Sequence, residues 1–176
     1  DGQIKMYVCG ITPYASSHLG HAMCAVIFDV LRRYLEHEGF EVAHIQNFTD
    51  VDDKMIDAAV DAGVDLEELA ESNINEYLTQ LKQLNVLRAS VYPRATHEIP
   101  KIIEIIQGLI NNDFAYELNG DVYFRVRKNK DYGKLSRRKI GELLAGTRLG
   151  VANSQKEFPG DFALWKSRNP GEPSWD

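Results

Sequence analysis

Long hydrophobic runs are missing from this chain, and so is an opening stretch with the charged, apolar and small-residue order of a signal peptide. Those absences speak against a membrane span and against export, and no membrane partner is expected. Cysteine is scarce: Cys9 and Cys24 are the only two in 176 residues. Two cannot build a disulfide framework, so a reducing, cytoplasmic setting is expected. There is no internal repeat and no low-complexity tract, which excludes solenoid architectures. Positive charge is also in deficit, with a net −6 at pH 7. Taken whole, that balance argues against a nucleic-acid partner. The deficit is uneven, however. Residues 125–139, RVRKNKDYGKLSRRK, hold eight Lys/Arg and one Asp, a local +7 that leaves −13 on the remainder. Such a stripe can meet a phosphate backbone while the acidic body prevents indiscriminate binding; a solvated loop and helix is the plainer reading.

What is present has the composition of an ordinary globular protein, 44% hydrophobic and 26% charged. The length suits one domain with a small appendage. The chain opens in DGQIK and stops in GEPSWD; both ends read as cut, so a partial sequence is expected. Residues 4–9, IKMYVC, read as a strand. Ala22, Ala25, Phe28, Leu31 and Leu35 then recur at helical spacing before Gly39. EVAHIQNF, 41–48, is a second strand, followed by helices over about 52–62 and 65–84. The order β-α-β-α predicts a parallel α/β sheet, with ligands beyond the carboxyl ends of its strands. After Pro93 the character changes: EIPKIIEIIQGLINN is an amphipathic helix, FAYELNGDVYFRV a hairpin around Asn119-Gly120, and RRKIGELLAG a short helix. Residues 96–160 are therefore expected to form a smaller α+β unit after 1–95, with 161–176 as a segment leading onward.

Three constellations carry chemistry. His18 and His21, in HLGH at a helix start, share one face beside free N–H groups and a partial positive charge, a setting that suits phosphate. Gly20 between them lets a flat ring lie against the backbone. HxxH alone is equally the pattern of surface or metal-binding histidines. Cys9, at a strand end, is a buried hydrophobe, a metal thiolate or a nucleophile; a nucleophile would need a base that nothing nearby demands. A closed zinc site from Cys9, His18, His21 and Cys24 is disfavoured, because Cys24 falls one turn past His21, beyond the expected pocket mouth. QNFTDVDDKM, 46–55, is either a magnesium-binding carboxylate cluster or a capped helix start, and for Asp52 and Asp53 the helix start is the better reading.

Together MYVCGITPY…HLGH, QNFTDVDDK, YPRATHEIPKIIEIIQGLI, GDVYF, YGKLSRRKIGELLAG and DFALWKSRNPGEPSW closely resemble cysteinyl-tRNA synthetase, from residue 4 to residue 175. The resemblance implies the first half of a Rossmann-like class I synthetase nucleotide-binding fold with a connective insertion. It implies ATP-dependent activation of L-cysteine and transfer to tRNA(Cys), with Mg2+ accompanying ATP. His18, Gly20 and His21 match the first ATP-binding signature, and the two histidines the catalytic role in adenylate formation. Cys9 matches the first zinc ligand, whose metal binds the substrate thiol and rejects serine. Gly10, Thr12 and Thr49 match the amino-acid pocket.

There are departures. The other three zinc ligands and the lysine-rich second ATP signature do not occur in these 176 residues, so the chain alone is expected to be inactive. Met23, Cys24 and Ala25 stand where the family more often has an Arg-Thr-aromatic run, with altered nucleotide affinity as one consequence. Two alternatives share parts of the pattern. A cysteine–amino-sugar ligase of mycothiol synthesis uses the same adenylate chemistry and favours GITPY before HLGH. A non-catalytic relic would bind RNA or a partner through the 125–139 stripe.

Overall fold

The computed structural model describes residues 2–137 and 155–175. The chain divides into two compact units, Asp1–Ile99 and Pro100–Asp176.

In the first unit, β1 (Gln3–Val8) and β2 (Glu41–Gln46) pair in parallel from Gln3↔Glu41 to Val8↔Gln46. The connection between them is α1 (Leu19–His37), as parallel pairing requires. α2 (Asp53–Ala62) and α3 (Leu66–Gln83) follow β2. Past α3 the chain returns beside β2, through parallel bridges Ile45↔Val91 and Phe48↔Arg94. The expected mixed, Rossmann-like order is what the chain adopts.

Alternation in β2 decides the core. Val42, His44, Gln46 and Phe48 are all buried, the period-2 phase of a half-buried strand. Phe48, 1% exposed, meets Tyr77 edge-on and stacks on Tyr92, and Ile11, Ala25, Ile74 and Leu81 complete the cluster. Leu31, read from the spacing of α1 as an inward residue, is exposed. Asp29 is buried instead, because its carboxylate accepts from Arg33 Nε at 2.7 Å and from the Leu87 amide at 2.9 Å.

The second unit contains nearly all of α4 (Ile99–Asn111) and an antiparallel sheet of β3 (Ala115–Leu118), β4 (Asp121–Phe124) and β5 (Phe162–Trp165), with β4 central. Asn119 and Gly120 turn the β3–β4 hairpin with φ of 55° and 89°, the left-handed pair that a two-residue loop needs. Phe162–Trp165, expected within a leading segment, is instead the third strand, covering an edge of β4 that would otherwise be open. The helix expected at RRKIGELLAG lies, apart from Arg137, outside the described residues.

The basic stripe is partly neutralised by its own unit. Arg125 bonds Glu157 at 2.7 and 2.8 Å and also pairs with Asp113, which Lys128 joins. Arg127 lies 3.8 Å over the Phe158 ring. For Arg125, Arg127 and Lys128 these contacts favour a structural role over a free phosphate-binding face.

Candidate active site

The first unit has a cavity of about 240 Å³ lined by residues at the carboxyl ends of β1 and β2 and by side chains of α1 and α3, including Cys9, Gly10, Thr12, His21, Gln46 and Tyr77. Its position follows from the sheet: backbone amides and carbonyls run out of pairing partners where parallel strands end.

Gly10 joins the two strand exits. A Cβ there would stand 1.5 Å from the Asn47 carbonyl oxygen, so no other residue fits against that backbone. Asn47 holds the junction from its own side. Its Oδ1 accepts from the Gly10 amide at 2.8 Å and the Tyr7 hydroxyl at 2.9 Å, and its Nδ2 donates to Thr49 Oγ1 at 3.4 Å. The Thr49 amide donates to the Ile11 carbonyl at 3.0 Å. The loop beyond is tied to α3, with Asn73 Nδ2 donating to the Pro13 carbonyl at 2.8 Å and Ser16 Oγ to Glu76 at 3.0 Å.

The histidine pair is built by the helix start itself. His18 is the N-cap of α1, and its side chain accepts from the Gly20 amide at 3.0 Å. His21, at the third helical position, accepts at Nδ1 from the His18 amide at 3.3 Å. This is the reciprocal geometry of a capping box, made by two imidazoles instead of Ser and Glu. With both Nδ1 atoms accepting, each ring carries its proton on Nε2 and can donate from there. The rings stack with centroids 3.9 Å apart. Gly20 leaves room for the His18 ring in this rotamer, since a Cβ would sit 2.9 Å from His18 Cε1; the flat ring it admits is the cap's own. Burial, then repulsion from His18, holds His21 below the usual imidazole range. It is therefore neutral near pH 7, and what it offers an anion is an N–H donor, not a formal charge.

The structure thus gathers Cys9, Gly10, Thr12 and His21 around one cavity. His18 is stacked on His21 but does not line it, and neither do Gly20 or Thr49. Cys9 Sγ is exposed, with only a 3.8 Å contact to the Gly10 carbonyl. Cys24, expected beyond the mouth, lines the cavity; one turn along α1 keeps it on the His21 face. Met23 is exposed and Ala25 is in the core. Among the described residues no group of three or more His, Cys, Asp or Glu could hold a metal. Asp52 caps α2, accepting from the Lys54 amide at 2.9 Å, and buried Asp50 accepts from Thr96 at 2.6 and 3.0 Å. Asn47, Gln46 and Tyr77 were not singled out from the sequence. The available signal was slight: Gln46 shares the period-2 phase of Val42 and Phe48.

A strand-end cavity beside a helix N-terminus is the arrangement of a Rossmann-type nucleotide-binding domain. The solved structure of Mycobacterium tuberculosis methionyl-tRNA synthetase in complex with methionyl-adenylate shares the fold, with a TM-score of 0.60 and 23% identity over 70% of this chain and 25% of that one. Residues 1–176 match the family described as tRNA synthetases class I (C) catalytic domain, and the chain belongs to that family. Among similar curated proteins are the cysteine–tRNA ligases of Dehalococcoides mccartyi strain 195, 53% identical over 100% of this chain, and of Caldicellulosiruptor saccharolyticus, 52% identical over 100%. That of Geobacillus sp. WCH70 is 51% identical over 99%. The chain spans 37–38% of the length of these relatives.

Proposed function

We propose that the protein carrying this chain activates L-cysteine with ATP and transfers it to tRNA(Cys). The observation that supports this best is the stacked His18–His21 pair, holding two Nε2–H donors at the start of α1 beside the Cys9–Gly10–Thr12 cavity. In this reading His18, Gly20 and His21 bind ATP, brought with Mg2+. The two histidines donate to the phosphate oxygens as the cysteine carboxylate attacks the α-phosphorus and pyrophosphate departs. Donors fixed before reaction need no reorganisation as charge develops, which is where they lower the barrier. Each imidazole keeps its Nδ1 on a backbone amide, which leaves Nε2 as the ring atom available to a phosphate oxygen. Gly10 and Thr12 line the amino-acid pocket; Thr49 supports it through Asn47.

Zinc fits this site in donor chemistry only. Cys9 offers one soft sulfur donor at the cavity, and the further ligands of the metal, as the resemblance implies them, are not among these residues. When bound, zinc would select a thiol over a hydroxyl. Residues 1–95 would serve as the first half of the catalytic domain and 96–160 as a connective insertion. No helix among the described residues is long and apolar enough to cross a membrane, and a cytoplasmic site of action is part of the proposal. Cysteine-dependent ATP–pyrophosphate exchange by the protein carrying this chain, followed by charging of tRNA(Cys), tests the reading. Exchange without tRNA charging, but with an amino-sugar acceptor, would move the assignment to the mycothiol-type ligase. No exchange with cysteine would leave the non-catalytic reading.

A further inference from the structure

The wall of the first unit's cavity contains a polar pair for which adenylate formation, as described above, has no use. Gln46 ends β2 and is 5% exposed, Tyr77 lies on α3 at 2%, and both line the cavity. Gln46 Nε2 donates to the Tyr77 hydroxyl at 3.4 Å. That bond leaves the carboxamide oxygen as an unspent acceptor. Among the described residues, the only side-chain polar atoms both buried and without a partner are the ring nitrogens of His44. The Gln46 oxygen, which has no protein donor among the described residues, is therefore reached from the cavity it lines.

The surroundings make this arrangement costly without a visitor. Phe48, Ile74 and Leu81 pack in the same cluster as Tyr77, and an apolar side chain at position 46 would avoid the desolvation of an amide. Tyr77 holds the NH2 end of the amide, its hydroxyl oxygen accepting from Nε2, and burial above all pushes that hydroxyl up to about 12, so it stays a phenol. The carbonyl end is left to the cavity.

We propose that Gln46 determines ligand specificity by accepting a hydrogen bond from an amino group of the bound ligand, with Tyr77 as the positioning residue that orients its carboxamide. This rests on the adenylation reading only in naming the two amino groups on offer: the ammonium of the amino acid and the exocyclic amine of adenine.

The test is calorimetric binding to the protein carrying this chain, using two matched probe pairs. L-cysteine is compared with 3-mercaptopropionate, which lacks the amino group, and ATP with purine riboside triphosphate, which lacks the exocyclic amine. Gln46→Leu should weaken one amino-bearing probe, about 10-fold or more for an ammonium and about 3-fold or more for a neutral amine. Its deamino counterpart should be unchanged, and the responding pair identifies the source. Tyr77→Phe should act on the same probe, in the same direction and more weakly. Gln46→Glu, which keeps an acceptor oxygen, should preserve the preference. Should Gln46→Leu fail to fold, Gln46→Glu and Tyr77→Phe decide the matter by the same ratios. Unchanged ratios in folded Gln46→Leu, or no preference for either amino probe in the unaltered protein, would overturn the proposal. A protein that discriminates through Gln46 yet shows no cysteine-dependent pyrophosphate exchange would refute the adenylation reading and leave this one standing.

Discussion

Replacing Gly20 by Ala separates the chemistry of the histidine pair from the stability of the helix it caps. The new Cβ would lie 2.9 Å from His18 Cε1 and 3.0 Å from Nδ1. Side-chain rotation relieves that contact, so the His18 ring leaves the Gly20 amide. Losing an N-cap costs about 1 kcal/mol, within a range of roughly 0.5–2. Against this, Ala is favoured over Gly within a helix by about 1 kcal/mol. The two nearly cancel, and the unfolding free energy should move by less than about 1 kcal/mol. Catalysis has no such compensation. On the proposed reading, displacing His18 takes its Nε2–H away from the developing phosphate charge, and His21 loses the ring stacked on it. Adenylate formation should fall by roughly 10²-fold, the scale for removing one preorganised donor. Single-turnover adenylate formation and a chemical unfolding curve, both on the protein carrying this chain, read the two effects separately. His18→Asn is the companion, since Asn is among the best N-caps but supplies no imidazole; it should keep stability and lose rate. Normal adenylation in folded Gly20→Ala would refute the reasoning. So would a rate loss matched by a stability loss well beyond 2 kcal/mol, which would make the pair a packing element.

His21→Ala should depress adenylation by roughly 10²–10³ while cysteine binding barely moves; near-normal turnover with a markedly lowered melting temperature would overturn the assignment. Cys9→Ser should lower bound zinc, measured by elemental analysis, and raise the KM for cysteine with ATP affinity nearly unchanged. Gly10→Ala puts a Cβ 1.5 Å from backbone that cannot rotate away, so a loss of about 4 kcal/mol or more is expected by denaturant titration. Burial, and then Arg32, hold His44 below its ordinary 6.5 against the pull of Asp29, so the unfolded chain takes up the proton more readily. Stability should therefore be full above pH 6.5 and fall as pH drops below it, with His44→Leu flattening that slope in melting curves. The 176 residues expressed alone should show no cysteine-dependent pyrophosphate exchange above a blank.

Much of the architecture was legible locally. The helix over Leu19–His37 and the strands Gln3–Val8 and Glu41–Gln46 follow from the period of their apolar residues, and the Asn119-Gly120 turn from its demand for positive φ. HLGH is local too, because its cap, its glycine and its second histidine lie within four consecutive residues. Even so, sequence left its imidazoles open between an anion, a metal and the surface; the fold adds that the rings satisfy the helix's own free amides. Leu31, inward by its spacing, is exposed, and Asp29 is buried in α1. Helical spacing names a face, but a buried carboxylate bonded to Arg33 and to the distant Leu87 amide can take an apolar residue's place.

Tertiary structure alone decided which distant residues meet. Gly10 against Asn47, Gln46 against Tyr77 and Asp50 against Thr96 are separated in the chain by 37, 31 and 46 residues. Residue type and spacing carry no record of such pairings, which depend on how the helices settle over the strand ends. The basic stripe makes the same point, since Glu157, 32 residues from Arg125, ties up one of its guanidiniums in a pairing that the run itself does not announce. Periodicity and turn chemistry act over a few residues and write themselves into sequence. A cavity is the space left between elements once their apolar faces are buried, and its lining exists only after they pack.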